Sequence, residues 1–223
     1  MGLREQKKER QRREIVEAAL ELFRERGYDE TRVGDIVESI GISEATFYNY
    51  FSSKDLVLDE LALAQVELFS ETLRYQLAAE DRSVPDRIRE TMDVAAKAIA
   101  ADREFQTVLY TRSNLFHSDG VLRERTHDMY RLLTQLFVAG QRRGEIRKDA
   151  DPTQLAEILI ANYHLTTINW LIGWWNSRQR LQPRIAAAIE IVLNGSRARG
   201  HSAPSSRDDD SRSSNGERPP LSS

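Results

Sequence analysis

Residues 31–51 read TRVGDIVESIGISEATFYNYF, from Thr31 to Phe51. Val33, Ile36, Val37 and Ile40 fall on one side of a helix, with Thr31 in front of it as the expected N-cap. Gly41 follows, where the chain can turn in a way that a side chain would make costly. Ser43 is placed to cap a second short helix, from which Phe47 and Phe51 face back toward the first. Two short helices joined by a tight turn form a helix-turn-helix, which lays its second helix in the DNA major groove.

Working outward, helical signals run almost throughout and no strand-like alternation persists. Ile15, Ala19, Leu22 and Phe23 recur at helical spacing, and Gly27 supplies a stop. Ser52-Ser53-Lys54-Asp55 resembles a capping sequence. It opens a long helix through Leu56, Leu61, Leu68 and Phe69. Pro85 suits a first helical turn, and further helices are predicted over about 85–101, 103–116 and 120–143. Asp151-Pro152 is a cap followed by proline and starts a helix to about Trp175. A last helix follows Pro183, near 183–194, and stops at Gly195.

The totals narrow the class. The chain has 223 residues, 40% of them hydrophobic and 30% charged, which suits a globular protein. It has no cysteine, so disulfides and thiolate metal sites are excluded. No apolar run reaches the roughly 20 residues of a membrane span, and the charged start lacks a signal-peptide core. A cytoplasmic location is expected. Net charge is only −3, so any attraction to nucleic acid must be local. Residues 1–13 supply it: Arg4, Lys7, Lys8, Arg10, Arg12 and Arg13 stand against Glu5 and Glu9. At the other end, residues 197–223 are rich in Ser, Arg, Asp, Pro and Gly and are expected to form a disordered tail.

Residues 10–60 resemble the TetR family of bacterial regulators. The resemblance is carried by Arg26-Gly27-Tyr28, Thr31, Asp35-Ile36, Gly41-Ile42-Ser43, Thr46-Phe47-Tyr48-Asn49-Tyr50-Phe51 and Ser53-Lys54. It implies a homodimer, a helical effector-binding domain and ligand-controlled release of DNA. The expected fold is all-α. A basic N-terminal arm (1–13) and a three-helix helix-turn-helix domain (14–54) precede an effector-binding and dimerisation domain of about six helices (55–196). The tail (197–223) follows.

The DNA contacts expected from the residues, and from the resemblance, are Thr31, Ser43, Glu44, Ala45, Thr46, Tyr48, Asn49 and Lys54. Small residues at the start of a recognition helix permit close approach to bases. Hydroxyls on Thr46 and Tyr48 can donate to phosphate oxygens. Lys54 adds a point charge at a helix N-terminus that already attracts an anion. Tyr50 and Phe51 are expected in the core and Tyr48 toward DNA. Two residues depart from the family pattern. Glu44 stands where lysine or arginine is commoner; its carboxylate repels phosphate yet can accept from cytosine N4. Gly34 replaces a longer polar residue. Both leave the operator sequence open.

The second half is rich in large aromatics. A ligand pocket there should be apolar with few polar groups. Phe105, Tyr110, Phe116, His117, Met129 and Tyr130 are its candidates, with Tyr163 and Trp170 across from them. A small lipophilic effector is expected. Asn162, His164, Thr166, Thr167 and Asn169 interrupt the apolar helix beginning at Pro152. Buried, they need partners, and the dimer interface through the two C-terminal helices is their expected place. His117, His127, His164 and His201 are too scattered for a metal site, and no cofactor motif or nucleophile–base pattern is present. The sequence thus points to a ligand-released repressor that binds a palindromic operator as a homodimer, not to an enzyme. An activator or a ligand-independent DNA binder would share the same motif, and a helical interaction protein the same composition.

Overall fold

The computed structural model describes residues 2–113, 120–174 and 180–196. Their architecture is all-α. The head is built from α1 (Leu3–Arg26), α2 (Val33–Ile40) and α3 (Glu44–Tyr48). A second layer follows, made of α4 (Lys54–Ala78), α5 (Val84–Ala101), α6 (Arg103–Arg112), α7 (Val121–Arg142), α8 (Pro152–Leu171) and α9 (Leu181–Ser196).

The head closes around Ile15, Ala19, Leu22 and Phe23 of α1, Ile36 and Val37 of α2, and Phe47 and Phe51, all buried. Gly41 takes φ 67°, the left-handed turn that its position requires. Thr31 does not cap α2. Arg32 holds the N-cap position, and its backbone N–H donates to Asp35 Oδ2 at 2.7 Å. Thr31 is instead completely buried, with its hydroxyl donating to the Gly27 carbonyl at 2.8 Å.

The basic segment 1–13 is no separate arm, because α1 runs unbroken from Leu3. Its residues are good helix formers and add three turns before the first buried position, Ile15.

In the second layer α4 packs against α7, α5 against α9, and α7 and α9 both against α8. Gly140 is the close-approach point at the end of α7: a Cβ there would stand 2.5 Å from Ile146 Cγ1. Asp151 caps α8 as its sequence predicts, accepting from Thr153 and Gln154 N–H at 2.7 and 3.0 Å. The same helix ends at Leu171, earlier than its apolar pattern suggests. Gly173 turns the chain at φ 73°, and Arg103 covers the freed Trp170 and Leu171 carbonyls at 2.7 and 3.2 Å. Conversely, α9 begins two residues before Pro183 and runs through Gly195 to Ser196. A proline in the first turn removes no helical hydrogen bond.

Candidate DNA interface and effector cavity

Ser43 caps α3, its hydroxyl accepting from Thr46 N–H at 3.1 Å and lying 2.9 Å from Thr46 Oγ1. The cap sets the start of a five-residue helix whose outer side carries exposed Ser43, Glu44, Ala45, Tyr48 and Asn49, with Thr46 half-buried beside them. Phe47 anchors the inner side and meets the Tyr48 ring edge-on at 5.5 Å. Tyr48 therefore stands out from the head, 51% exposed, on a rigid base. Tyr50 is half-buried and Phe51 buried. Glu44 bends back toward α2, its Oε1 3.5 Å from the position of a Cβ on Gly34. A carboxylate there lies against the first turn of α2, where the helix dipole favours it. The two departures from the family pattern thus sit against each other.

Two predicted DNA contacts face inward. Thr31 has no exposed surface and its hydroxyl hydrogen is committed to a carbonyl, so its side chain is not offered to phosphate. Lys54 Nζ donates to the carbonyls of Tyr28 and Thr31 at 2.6 and 2.8 Å and sits 4.1 Å from the centre of the Tyr28 ring. Two of its three N–H groups are thereby spent on pinning the α1–α2 loop to α4. The Tyr28 hydroxyl donates to Asp55, the next residue of α4.

Within the basic segment, Arg12 is also committed. It pairs with Glu60 at 2.6 Å and covers the Phe51 ring. Arg4, Lys7 and Lys8 are exposed, make no ion pair among the described residues, and share one helix face at i, i+3 and i+4.

The second layer encloses a cavity of about 210 Å³. Of the predicted lining residues, it brings together Tyr110, Met129, Tyr130 and Tyr163. Phe105 is elsewhere, buried where α6 meets the head, under the Arg24 guanidinium. Trp170 lies beside a different hollow with Lys97 and Leu181, stacked by Arg103. Phe116 and His117 lie outside the described residues, as do Trp175, His201 and the predicted tail.

The sequence reading missed the other wall, formed by Gln65, Phe69 and Thr72 of α4 and by Thr91, Val94 and Ala98 of α5. Its signal was present as small and polar residues at helical spacing on two consecutive helices. His164 also belongs to this cavity, not to an interface, and lies 3.5 Å through Nδ1 from the Tyr110 hydroxyl. Burial lowers its pKa to about 4, leaving a neutral imidazole. Burial also raises the Tyr110 and Tyr163 phenols, which stay protonated. Thr167, another member of the predicted interface set, is fully buried inside the protomer.

Cavity and head are joined by α6 as well as by α4. Tyr110 reaches the cavity from α6, while Asp102 pairs with Arg24 of α1 at 2.7 Å and Arg112 pairs with Asp29 at 3.2 Å. Among the described residues, no cluster of metal-ligating side chains occurs and no helix is long and apolar enough to cross a membrane.

Comparison with known proteins agrees with this architecture. Residues 15–61 match the family model described as bacterial regulatory proteins, tetR family. The HTH-type transcriptional repressor DhaR of Mycobacterium sp. strain GP1 is 30% identical over 195 residues, spanning 82% of this chain and 92% of that protein. The fatty acid metabolism regulator protein of Bacillus subtilis is 21% identical over 186 residues, spanning 82% and 93%. Thermus thermophilus FadR, solved with lauroyl-CoA, shares the fold with a TM-score of 0.69 at 24% identity, covering 86% of this chain and 98% of that one. This chain belongs to the TetR family of bacterial regulatory proteins, and it is a DNA-binding transcription regulator, not an enzyme.

Proposed function

We propose that the protein is a homodimeric repressor that reads a palindromic operator with the exposed side of α3 and leaves it when a small lipophilic effector fills the α4–α8 cavity. The observation that carries this reading is the double attachment of α6: one helix supplies Tyr110 to the cavity and holds α1 through Asp102. A ligand that displaces Tyr110 moves one of the two helices that tie the cavity to the head, the other being α4. It must bind the released state better than the DNA-bound one, since only differential affinity shifts the equilibrium.

Dimerisation through α8 and α9 is supported by their outer faces. Ile158 and Leu165 of α8 and Ile172 at its C-cap recur every seven residues and are exposed, as is Ile191 of α9. An apolar seam at heptad spacing is what a helix presents to another helix. A symmetric pair of heads would meet half-sites about 34–36 Å apart. The names of two relatives, a fatty acid metabolism regulator and a repressor seen with lauroyl-CoA, support a lipophilic effector.

Selection of bound fragments from the source genome, at physiological salt, tests the reading. One palindrome should be enriched and should be lost with Tyr48→Ala. Sequence-blind, steeply salt-dependent binding would instead mean that the basic first turns of α1 dominate, and would overturn specific regulation.

A further inference from the structure

The chemistry of the cavity wall narrows the effector further, on the reading that this cavity is the effector site. None of the described lining residues carries a charged group. The polar atoms are hydroxyls and amides, such as Thr91, Thr126 and Gln65, together with the Tyr110–His164 pair. An ionised carboxylate brought into such a wall loses its water without gaining a cation, a cost that protein interiors avoid. His164 is uncharged at pH 7, and charging it against a bound carboxylate would have to overcome the burial that lowers its pKa to about 4.

The rim offers no better. The lining residues Leu68 and Val94 are exposed and mark the opening between α4 and α5. Their chain neighbours are the acids Glu67 and Asp93. Two cations beside them are already engaged, Arg125 with Glu67 at 3.5 Å and Lys97 with Asp93 at 2.6 Å. Phosphates arriving here would meet carboxylates and paired cations.

At the inner end the wall is polar but uncharged. Tyr110 and His164 stand 3.5 Å apart and place a phenol and a neutral imidazole together in the cavity wall.

We propose that the effector is an uncharged lipophile with a neutral hydrogen-bonding oxygen, seated against Tyr110 and His164, and that carboxylates and coenzyme A thioesters are discriminated against. An apolar cavity of about 150 Å³ accepts benzene, so the present one takes a somewhat larger ring or a medium chain, with any excess emerging past Leu68 and Val94.

Calorimetric titration of the full-length protein at pH 7.4 with 2-decanone, decanoate and decanoyl-CoA tests this. The ketone should bind at least ten-fold more tightly than either charged compound. Val94→Lys, which adds a cation at an already exposed rim position, should narrow the ketone-to-decanoate ratio by about ten-fold. His164→Leu should weaken the ketone several-fold. Decanoate or decanoyl-CoA binding as tightly as the ketone would overturn the uncharged-effector proposal and leave the cavity as an effector site. Ketone affinity unchanged by His164→Leu would overturn its seat. Failure of all three compounds to bind would overturn the effector reading itself, and the proposal with it.

Discussion

Arg24 Nε, two residues before the end of α1, donates to Asp102 Oδ2 at 2.7 Å, and Asp102 is the residue that caps α6. The head and the cavity layer are therefore joined at the first turn of the helix that carries Tyr110. The pair is half exposed on the arginine side, so its contribution to stability is small, within about 1 kcal/mol. Its effect should appear in coupling. Arg24→Gln should leave thermal unfolding and effector affinity for the free protein close to wild type, and should reduce the effector-induced drop in operator affinity several-fold. Operator titrations with and without effector measure this, and an unchanged drop would exclude the pair from the transmission.

Tyr48 and Phe47 are neighbours with opposite duties. Tyr48→Ala removes an exposed ring and hydroxyl and should weaken operator binding at least ten-fold with unfolding unchanged. Phe47→Ala empties the centre of the head and should cost about 3–5 kcal/mol. Circular dichroism melts beside fluorescence-anisotropy binding curves separate the two.

Lys54 and the pair Lys7 and Lys8 should differ in salt dependence. Lys54 Nζ is bound to two carbonyls, so Lys54→Met should destabilise the head by about 1–3 kcal/mol. It should change the slope of log K against log salt by less than one. Lys7→Ala and Lys8→Ala should each lower the slope by up to about one, with no effect on stability, because their ammonium groups are exposed.

His164 makes stability depend on pH. Its folded pKa is lowered to about 4 from an ordinary 6.5, so between these values the unfolded chain binds more protons than the folded one. Stability is full above about pH 6.5 and falls as pH drops toward 4, by on the order of 2–3 kcal/mol. His164→Asn should flatten that part of the curve. Urea midpoints for both proteins across pH 4–7.5 give the difference directly.

The exposed seam of α8 should hold the dimer. Leu165 is 62% exposed at the middle of the Ile158–Ile172 row. Leu165→Glu should therefore produce a folded monomer with strongly weakened operator binding, detected by sedimentation velocity. A dimer that survives would place the interface elsewhere.

The sequence by itself determined the helix-turn-helix and the presence of the helices, though not all of their ends. Those follow from local rules: the apolar period of Ile36 and Val37, the left-handed turn at Gly41, the caps at Ser43 and Asp151. They need no knowledge of what lies across the core. Tyr48 as an outward residue and Phe51 as an inward one were legible for the same reason, because their spacing on one short segment sets the side they face.

The tertiary structure alone decided the assignments that depend on partners. Thr31 and Lys54 carry the right chemistry for phosphate, yet the fold brings carbonyls of Gly27 and Tyr28 within reach of them first. Phe105 and Tyr110 lie five residues apart on one helix, which sets them on different sides, but only packing decides which side meets the head and which the cavity. His164 and Leu165 are adjacent in sequence, but α8 turns one toward Tyr110 and leaves the other exposed. Composition cannot separate such cases, because a side chain's role is set by the groups that reach it from distant parts of the chain, and those distances exist only once the helices have packed.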